Sequence, residues 1–414
     1  MTKPVIDNPA VTNHRELFVA IATSVGKVVE DNGLVYTNCG VDRHAQVTFP
    51  ASNVSDDQLD RMMDFYHSSL PRTIGVWKED GVGNEALSAR LIARGFQIGW
   101  EPKWMVLDLE TADIRPKHIK DVYIKVNNLA VIPSSIPFSN KDDDGMYSVD
   151  MRRSGVITKF VATHKGSIIG HCDLFMGTEA GIHNIGVHDS HTGKGLGGQL
   201  VKNACVFAQK KGYGRVSLNA ISQDLYLKLG FKHITNGSTW WLYREEFEKC
   251  QNSLAEQKII QHVCLGELHE MDKLPAGTSY SFPTTSGMSL LQMAVKFNHT
   301  KMAQWLIAKG APHTVLDLWD IGGASMASSM LPTHIDDLIE GKTALHHAVE
   351  RGNVELAKHL LVFNPNLDIR DSTYSCTALG WCSVLEQKEI GTLIREAVEK
   401  IENTEFSSVS TNML

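Results

Sequence analysis

The chain has 414 residues, of which 43% are hydrophobic and 21% charged, so it can bury a large core. This length predicts about three domains. Lys and Arg number 40 against 47 Asp and Glu, and the net charge of -7 argues against a general nucleic-acid-binding protein. Seven scattered cysteines without a Cys-x-x-Cys pair, and no apolar stretch long enough to cross a bilayer, favour a reduced, cytoplasmic protein without a membrane span.

The first part of the chain is weakly similar to a later part. Residues 87–96 form a helical pattern that ends in Gly-Phe and precedes a predicted strand at 104–109. Residues 225–231 also end in Gly-Phe and precede a predicted strand near 239–243. The order of elements therefore suggests that one fold occurs twice.

The first copy lacks features that the second copy has. Leu91 stands where the second copy has Tyr226, and no glycine-rich loop precedes it. We therefore predict that residues 1–120 form a degenerate, non-catalytic lobe, with an unrelated α/β cap as the alternative.

Residues 121–248 alternate strand patterns with helical ones. An acidic run at 142–144 is interpreted as a solvated turn. One helix is predicted from Leu196, with apolar residues at the spacing of a helix packed on a sheet. The segment predicts an α+β fold, a mixed sheet flanked by helices, with strands at 122–126, 156–162, 168–176, 182–187, 215–218 and 239–243.

A glycine-rich loop follows the strand at 182–187. Glycine adopts backbone conformations closed to other residues, and the first N–H groups of the helix that follows have no partners within that helix. This combination favours binding of a phosphorylated ligand. The loop reads His-Asp-Ser-His-Thr-Gly-Lys-Gly-Leu-Gly-Gly over residues 188–198.

Two familiar phosphate loops fit this segment poorly. A Walker loop requires Ser or Thr after Gly-Lys, but Lys194 is followed by Gly195. The dinucleotide pattern Gly-x-Gly-x-x-Gly is met by Gly193, Gly195 and Gly198. It also requires an acidic residue after the next strand, where this chain has Asn219.

The segment resembles the GNAT acyltransferase superfamily, whose loop reads Arg/Gln-x-x-Gly-x-Gly/Ala. Thr192, Gly195 and Gly197 occupy the three defined positions, although Thr192 stands where the family has Arg or Gln. Residues 219–231 are similar to a second segment of the family, Asn followed by Tyr-x-x-x-Gly-Phe. The resemblance implies acetyl-coenzyme A as the acyl donor, with no metal.

The resemblance also implies roles for individual residues. The pantetheine arm would lie along the strand at Ile185 and Val187, and Asn219 would bond to the amide arm or to a strand backbone. Tyr226 would protonate the departing thiolate, and the alternative is that it is an ordinary helix residue packed under the sheet. The diphosphate would bind the N–H groups of the loop and helix start, that is Gly193, Lys194, Gly195, Leu196, Gly197 and Gly198.

His183 is the candidate general base. It lies where many family members place a carboxylate, and a neutral imidazole can accept a proton near pH 7. The alternative is a hydrogen-bonded histidine on a sheet face. His188 and His191 flank Asp189, but no third ligand is evident, and we expect no metal there.

The chain changes character after about residue 250. Residues 341–361 strongly resemble an ankyrin repeat, Gly-x-Thr-Pro-Leu-His-x-Ala, with Ala344 in place of the proline. We predict an all-α ankyrin domain over 249–404, with an insertion at 314–331 and a disordered tail at 405–414. Its repeats are predicted to start near 287, 341 and 375.

Together these resemblances imply an acetyl-coenzyme A-dependent N-acetyltransferase with tandem lobes. The acceptor would be an amine of a small molecule or a protein, and the ankyrin repeats would bind a protein partner or pack on the enzyme lobe. Neither nucleic acid nor a membrane is an expected partner. The alternative is a non-catalytic acyl-coenzyme A sensor that serves as an ankyrin interaction scaffold.

Overall fold

A computed structural model describes residues 8–51, 53–79, 84–139 and 147–411. The acidic run at 142–144 lies outside these residues. Contacts divide the chain into two compact units, Met1–Gln257 and Lys258–Leu414.

The first unit combines helices with strands, as the sequence predicts. Its helices are α1 (Pro9–Val25), α2 (Asp56–His67), α3 (Asn84–Ala93), α4 (Val149–Arg153), α5 (Leu196–Lys210), α6 (Asp224–Lys228) and α7 (Arg244–Lys249). Its strands are β1 (Lys27–Asp31), β2 (Leu34–Asn38), β3 (His44–Thr48), β4 (Thr73–Glu79), β5 (Gln97–Ile98), β6 (Lys103–Asp108), β7 (Val122–Val126), β8 (Ile157–His164), β9 (Ser167–Met176), β10 (Ala180–Val187), β11 (Arg215–Ala220) and β12 (Lys232–Tyr243).

The described strands join in one mixed sheet, in the order β1-β2-β3-β4-β12-β6-β11-β10-β9-β8-β7, with β5 beside β12. Two pairs of strands are parallel, β3 with β4 and β10 with β11, and all other paired strands are antiparallel. A helix joins the strands of each parallel pair, α2 in the first lobe and α5 in the second. The α+β class expected from the sequence is confirmed.

The two Gly-Phe turns have the same local geometry. Gly95 and Gly230 have φ angles of 95° and 94°, a region that glycine enters without strain. The N–H groups of Phe96 and Phe231 donate to the carbonyl five residues earlier, at 3.1 and 2.9 Å. With a parallel strand pair in each lobe, this is the internal repeat that the sequence suggested.

The lobes also exchange strands. Strand β6, from the first lobe, lies between β11 and β12 of the second. The last part of β12 pairs in turn with β4 of the first lobe, from Gly237 opposite Glu79 to Tyr243 opposite Thr73. Sequence reasoning assigned each strand to its own lobe and missed the exchange, because a hydrophobic pattern identifies a strand but not its neighbours.

The second unit is helical. Three helix pairs have the form of ankyrin units, and the first helix of each pair follows a residue that caps it, Ser289, Thr343 or Thr377. The helices are α8 (Leu254–Leu265), which begins before the unit boundary, α9 (Leu268–Met271), α10 (Leu290–Lys296), α11 (Thr300–Ala308), α12 (Val315–Gly322), α13 (Ala324–Ala327), α14 (Leu331–His334), α15 (Ala344–Glu350), α16 (Val354–Leu361), α17 (Ala378–Val384) and α18 (Lys388–Thr411).

Two details of this unit differ from or refine the predictions. The insertion at 314–331 contains short helices, α12 to α14. Helix α18 continues to Thr411, so residues 405–411 are helical and do not form the expected disordered tail. A helix that has already nucleated extends at low cost, which explains why a polar sequence can remain helical there.

Among the described residues, no helix is long and apolar enough to cross a membrane. All seven cysteines are free thiols.

Candidate active site

The parallel strands of the second lobe separate after two residue pairs. Ala180 and Gly181 pair with Val216 and Ser217, and the described parts of β10 and β11 pair no further. In the first lobe, β3 and β4 stay paired over five residue pairs. Beyond Gly181, β10 therefore presents main-chain N–H and C=O groups to an open fork, where an extended ligand can add as a strand would.

A β-bulge interrupts β10 inside the fork. The register with β9 shifts between His183 and Gly186, and Asn184 has a φ of 51°, which asparagine tolerates better than most residues. The Asn184 side-chain nitrogen donates to Tyr147 Oη at 3.0 Å and to Asp173 Oδ2 at 3.2 Å. These bonds hold the bulge in place, and the bulge changes the direction of the main chain at Ile185.

A polar row crosses the sheet beside the bulge. Lys159, Asp173 and His183 lie opposite one another on neighbouring strands, and Lys159 Nζ is 3.1 Å from Asp173 Oδ1. Both side chains of this ion pair are 1% exposed. Burial lowers the pKa of His183 to about 4, although the Asp173 carboxylate acts in the opposite direction. His183 is therefore a neutral imidazole at pH 7.

The glycine loop leads from β10 into α5. Gly193 and Gly195 have φ angles of 76° and 78°, so the loop requires glycine at these two positions for its backbone conformation. Lys194 Nζ donates to the Ser190 carbonyl at 2.7 Å, which ties the charged side chain to the loop.

The start of α5 is open to a ligand. Gly195 precedes the helix and provides no side-chain cap, and the first turn contains no acidic residue. A Cβ added at Gly197 would come no closer than 3.7 Å to Leu225 and 3.8 Å to Val187, which is ordinary contact. Glycine is thus not required there for internal packing, and its effect is to leave the N–H groups of the first turn accessible.

The corresponding helix of the first lobe is closed. Ser55 caps α2 by accepting from the Gln58 N–H, and the Gln58 side chain accepts from the Ser55 N–H. Asp56 and Asp57 add negative charge to the first turn. In the described residues of this lobe, the paired strands and the capped, acidic helix α2 form no counterpart of the open junction in the second lobe.

Tyr226 packs against the core of the second lobe. Its ring is half-buried against the core and lies edge-on to Phe231, with ring centroids 5.8 Å apart. Its hydroxyl makes no hydrogen bond within the described chain. Burial, with the nearby Cys172 thiol, raises the pKa of Tyr226 to about 12. The phenol is therefore a neutral donor, but a weaker acid than the value near 10 assumed from the sequence.

The structure brings several of the sequence-predicted residues together at this junction. Ile185 and Val187 pack against the same core cluster as Tyr226, and Val187 also lies beside the first turn of α5. The side chain of Asn219 is already engaged, because its amide nitrogen is 3.3 Å from Nδ1 of His14. Its predicted contact with the pantetheine arm remains a prediction.

The loop side chains make mainly local bonds. The Thr192 hydroxyl is exposed and donates to the His188 carbonyl at 3.5 Å. Rings of His188 and His191 both lie within hydrogen-bonding distance of the Ser190 hydroxyl. No group of three or more potential metal ligands occurs in the part of the chain that the structure describes.

Sequence reasoning missed the residues that surround His183. Asn13 and His14 lie on α1, far away in sequence, and His183 Nε2 is 2.9 Å from Asn13 Oδ1. The strand pattern at 168–176 assigns no special role to Asp173. A charged residue in the middle of the apolar β9 pattern was the available signal, since such residues are seldom buried without a partner.

Family comparisons agree with this geometry. Residues 129–231 match the model of the acetyltransferase (GNAT) family, and residues 291–361 match a model of ankyrin repeats. No curated protein matches the sequence significantly.

The chain is also similar to solved structures at low sequence identity. A GCN5-related N-acetyltransferase from Kribbella flavida is 14% identical, with a TM-score of 0.44, over 58% of this chain and 96% of its own. One from Sphaerobacter thermophilus is 13% identical, with a TM-score of 0.38, over 50% and 76%. A tandem GNAT protein from the clavulanic acid biosynthesis pathway is 15% identical, with a TM-score of 0.36, over 57% and 96%.

From the family matches, this chain contains a GNAT acetyltransferase domain at residues 129–231 and ankyrin repeats at residues 291–361.

Proposed function

We propose that the protein is an N-acetyltransferase that uses acetyl-coenzyme A and an amine acceptor. The observation that carries the proposal is the junction of three features: an open strand fork, a bulge inside it, and an uncapped helix start at its end. The first lobe has the same topology, but its strands stay paired and its helix is capped. The features specific to the second lobe are those that a long diphosphate-bearing thioester needs.

Main-chain groups would bind the acyl donor. The N–H groups of Leu196, Gly197 and Gly198 have no partner in the described chain and point out of the helix start, where the helix dipole favours an anion. The free edge of β10 from Ile182 to Val187 would hold an extended amide arm. A strand N–H beyond the bulge, at Ile185 or Val187, would stabilise negative charge on the thioester oxygen.

Two side chains would transfer protons during the reaction. Tyr226 would donate to the departing sulfur, a role in which its raised pKa keeps the phenol protonated. His183 would accept the proton of the acceptor nitrogen. Its lowered pKa makes it too weak a base for a free ammonium group, so the acceptor would have to bind as the neutral amine.

The second candidate is an acyl-coenzyme A sensor without turnover. The weak basicity of His183 and the existing bond between Asn219 and His14 favour it. Calorimetric titration with acetyl-coenzyme A, followed by thiol-release assays against a panel of amines, separates the two. Tight binding with no thiol released on any amine would favour the sensor.

Gly197→Asp tests the binding site itself. Asp at the second position of a helix stabilises the helix, so we expect the variant to fold at least as well as the parent. The same negative charge would repel a diphosphate, and we expect acetyl-coenzyme A affinity to fall at least tenfold. Gly197→Ala is the matched control, because its methyl group meets only ordinary contacts. Unchanged affinity in Gly197→Asp would exclude this helix start as the diphosphate site.

The ankyrin repeats are proposed to bind a protein partner. If that partner is the acceptor, the acetylated group would be a lysine or an N-terminal amine. Pull-down with residues 258–414 deleted, compared with the full chain, would show whether the repeats recruit the protein that is acetylated.

A further inference from the structure

Helix α1 of the first lobe lies across the fork of the second. Asn13 and His14 are both buried, and each contacts a different strand of the fork. Asn13 Oδ1 lies 2.9 Å from His183 Nε2 on β10, and His14 Nδ1 lies 3.3 Å from the Asn219 side-chain nitrogen on β11. Both strand residues stand two positions beyond the last paired residues. A helix outside residues 129–231 therefore contacts both walls of the site.

The orientation of the Asn13 amide is determined by its other bonds. Its nitrogen donates to the Glu179 carbonyl at 2.7 Å and to the Phe175 carbonyl at 3.4 Å. The oxygen must then face His183, and an amide oxygen can only accept. The proton of the neutral imidazole consequently lies on Nε2, and Nδ1 carries the free lone pair.

The packing leaves room for this contact. A Cβ added at Gly181 would overlap Asn13 Oδ1, so glycine at this position on β10 is what allows α1 to approach. Nδ1 of His183, in contrast, has no hydrogen-bond partner in the described chain. The ring is thus held on one nitrogen, and the lone pair of the other nitrogen is free.

We propose that Asn13 is a positioning residue for acetyl transfer, holding His183 as the Nε2–H tautomer so that Nδ1 accepts the proton of the acceptor amine. This inference rests on the proposed function. It makes the first lobe a direct contributor to the site, although the parallel strands of that lobe stay paired and its helix α2 is capped.

The proton and bond changes balance without a further reactant. The amine nitrogen bonds to the acyl carbon, and the carbon–sulfur bond breaks. The nitrogen becomes strongly acidic once it has bonded, so even a weakly basic imidazole takes its proton at Nδ1 and then passes it to water. The thiolate takes the Tyr226 proton, and the tyrosinate is reprotonated from water.

A double-mutant cycle tests the proposal. Asn13→Leu retains the volume of the side chain and removes the acceptor. We expect kcat to fall about tenfold with acetyl-coenzyme A affinity unchanged, and we expect no further fall when the change is made in His183→Ala. Glu16→Gln is the control on the same helix, since Glu16 contacts the Thr178 N–H and not His183. Equal losses in both backgrounds would show a merely structural role and overturn the proposal.

A measurement on the wild-type chain covers the case in which Asn13→Leu does not fold. Long-range ¹⁵N NMR of labelled histidines, with His183 assigned by its absence in His183→Ala, reports the tautomer directly. The Nε2–H form is expected, and the Nδ1–H form would overturn the proposal. If the wild-type chain shows the Nε2–H form but no turnover on any amine, the proposed function fails while the Asn13 contact stands.

Discussion

At the scale of single residues, the site contains two titratable groups whose pKa values burial has moved in opposite directions. His183 is shifted down to about 4 and Tyr226 up to about 12. Both shifts favour the neutral form, because a charged group is costly to bury. A neutral acceptor and a neutral donor are suited to moving protons at pH 7 without a permanent charge.

The Tyr226 hydroxyl has no partner in the described chain, so its removal should affect chemistry and leave the fold intact. We expect Tyr226→Phe to lower kcat by ten- to a hundredfold and to change acetyl-coenzyme A affinity by less than twofold. Steady-state kinetics and calorimetry on the same preparation measure the two effects. Equal losses in turnover and binding would remove the acid role.

The lowered pKa of His183 makes stability depend on pH. The unfolded chain binds a proton near pH 6.5, whereas the folded chain resists protonation until about pH 4. The stability from this group is therefore fully present above pH 6.5 and is lost as the pH falls through that window.

The loss of folding stability from His183 should be at most about 3 kcal/mol, and solvent screening of this half-buried group makes it smaller. Urea unfolding of the wild type and His183→Gln at pH 7 and pH 4.5 measures it, and the variant should lose less stability between the two. The pKa of His14 is lowered mainly by burial and further by His183, so His14 contributes in the same direction to both proteins but somewhat less to the variant. Identical pH slopes would mean that His183 is not shifted.

At the scale of secondary-structure elements, the sequence predicted far more of the strands and helices than of their arrangement. β7 was predicted residue for residue, and the glycine loop and α5 were located because phosphate-binding loops have a local signature. The bulge was not predicted. Asn184 reads as one more residue in an alternating strand, and its φ follows from bonds to Asp173 and Tyr147, which come from elsewhere in the chain.

Substitutions at Asn184 test the strain of the bulge directly. Asn184→Gly retains the freedom to adopt a positive φ but loses the side-chain bonds, whereas Asn184→Val loses both and carries a β-branched side chain. We expect Asn184→Val to destabilise the protein by about 2 kcal/mol or more, and Asn184→Gly by roughly half as much. Thermal unfolding gives the order, and a Val variant as stable as the Gly variant would show that the bulge is not strained.

At the scale of the whole molecule, the exchanged strands explain why the two lobes cannot be separate domains. β6 is hydrogen-bonded on both sides by the second lobe, and its residues Trp104, Met105 and Leu107 are buried. Pattern analysis of one segment at a time cannot detect such an exchange, because the partners of a strand depend on the complete topology. The first lobe therefore provides the strand that joins β11 and β12 of the second lobe.

Removal of residues 1–110 should therefore be severe. Without β6, the edges of β11 and β12 lose their partners, and exposed strand edges promote aggregation. We expect a chain starting at residue 111 to be insoluble or unfolded, whereas a chain ending at residue 250 should stay folded with nearly unchanged acetyl-coenzyme A affinity. Solubility, circular dichroism and calorimetry on the two truncations provide the comparison. A soluble, folded chain from residue 111 would contradict the exchange.

The most direct measurement is a crystal structure grown with coenzyme A at millimolar concentration. We expect the diphosphate oxygens about 3 Å from the N–H groups of Leu196, Gly197 and Gly198, with the pantetheine arm in the fork between β10 and β11. A well-ordered structure in which the fork is closed, or in which coenzyme A binds elsewhere, would contradict the assignment of this junction as the acyl-donor site.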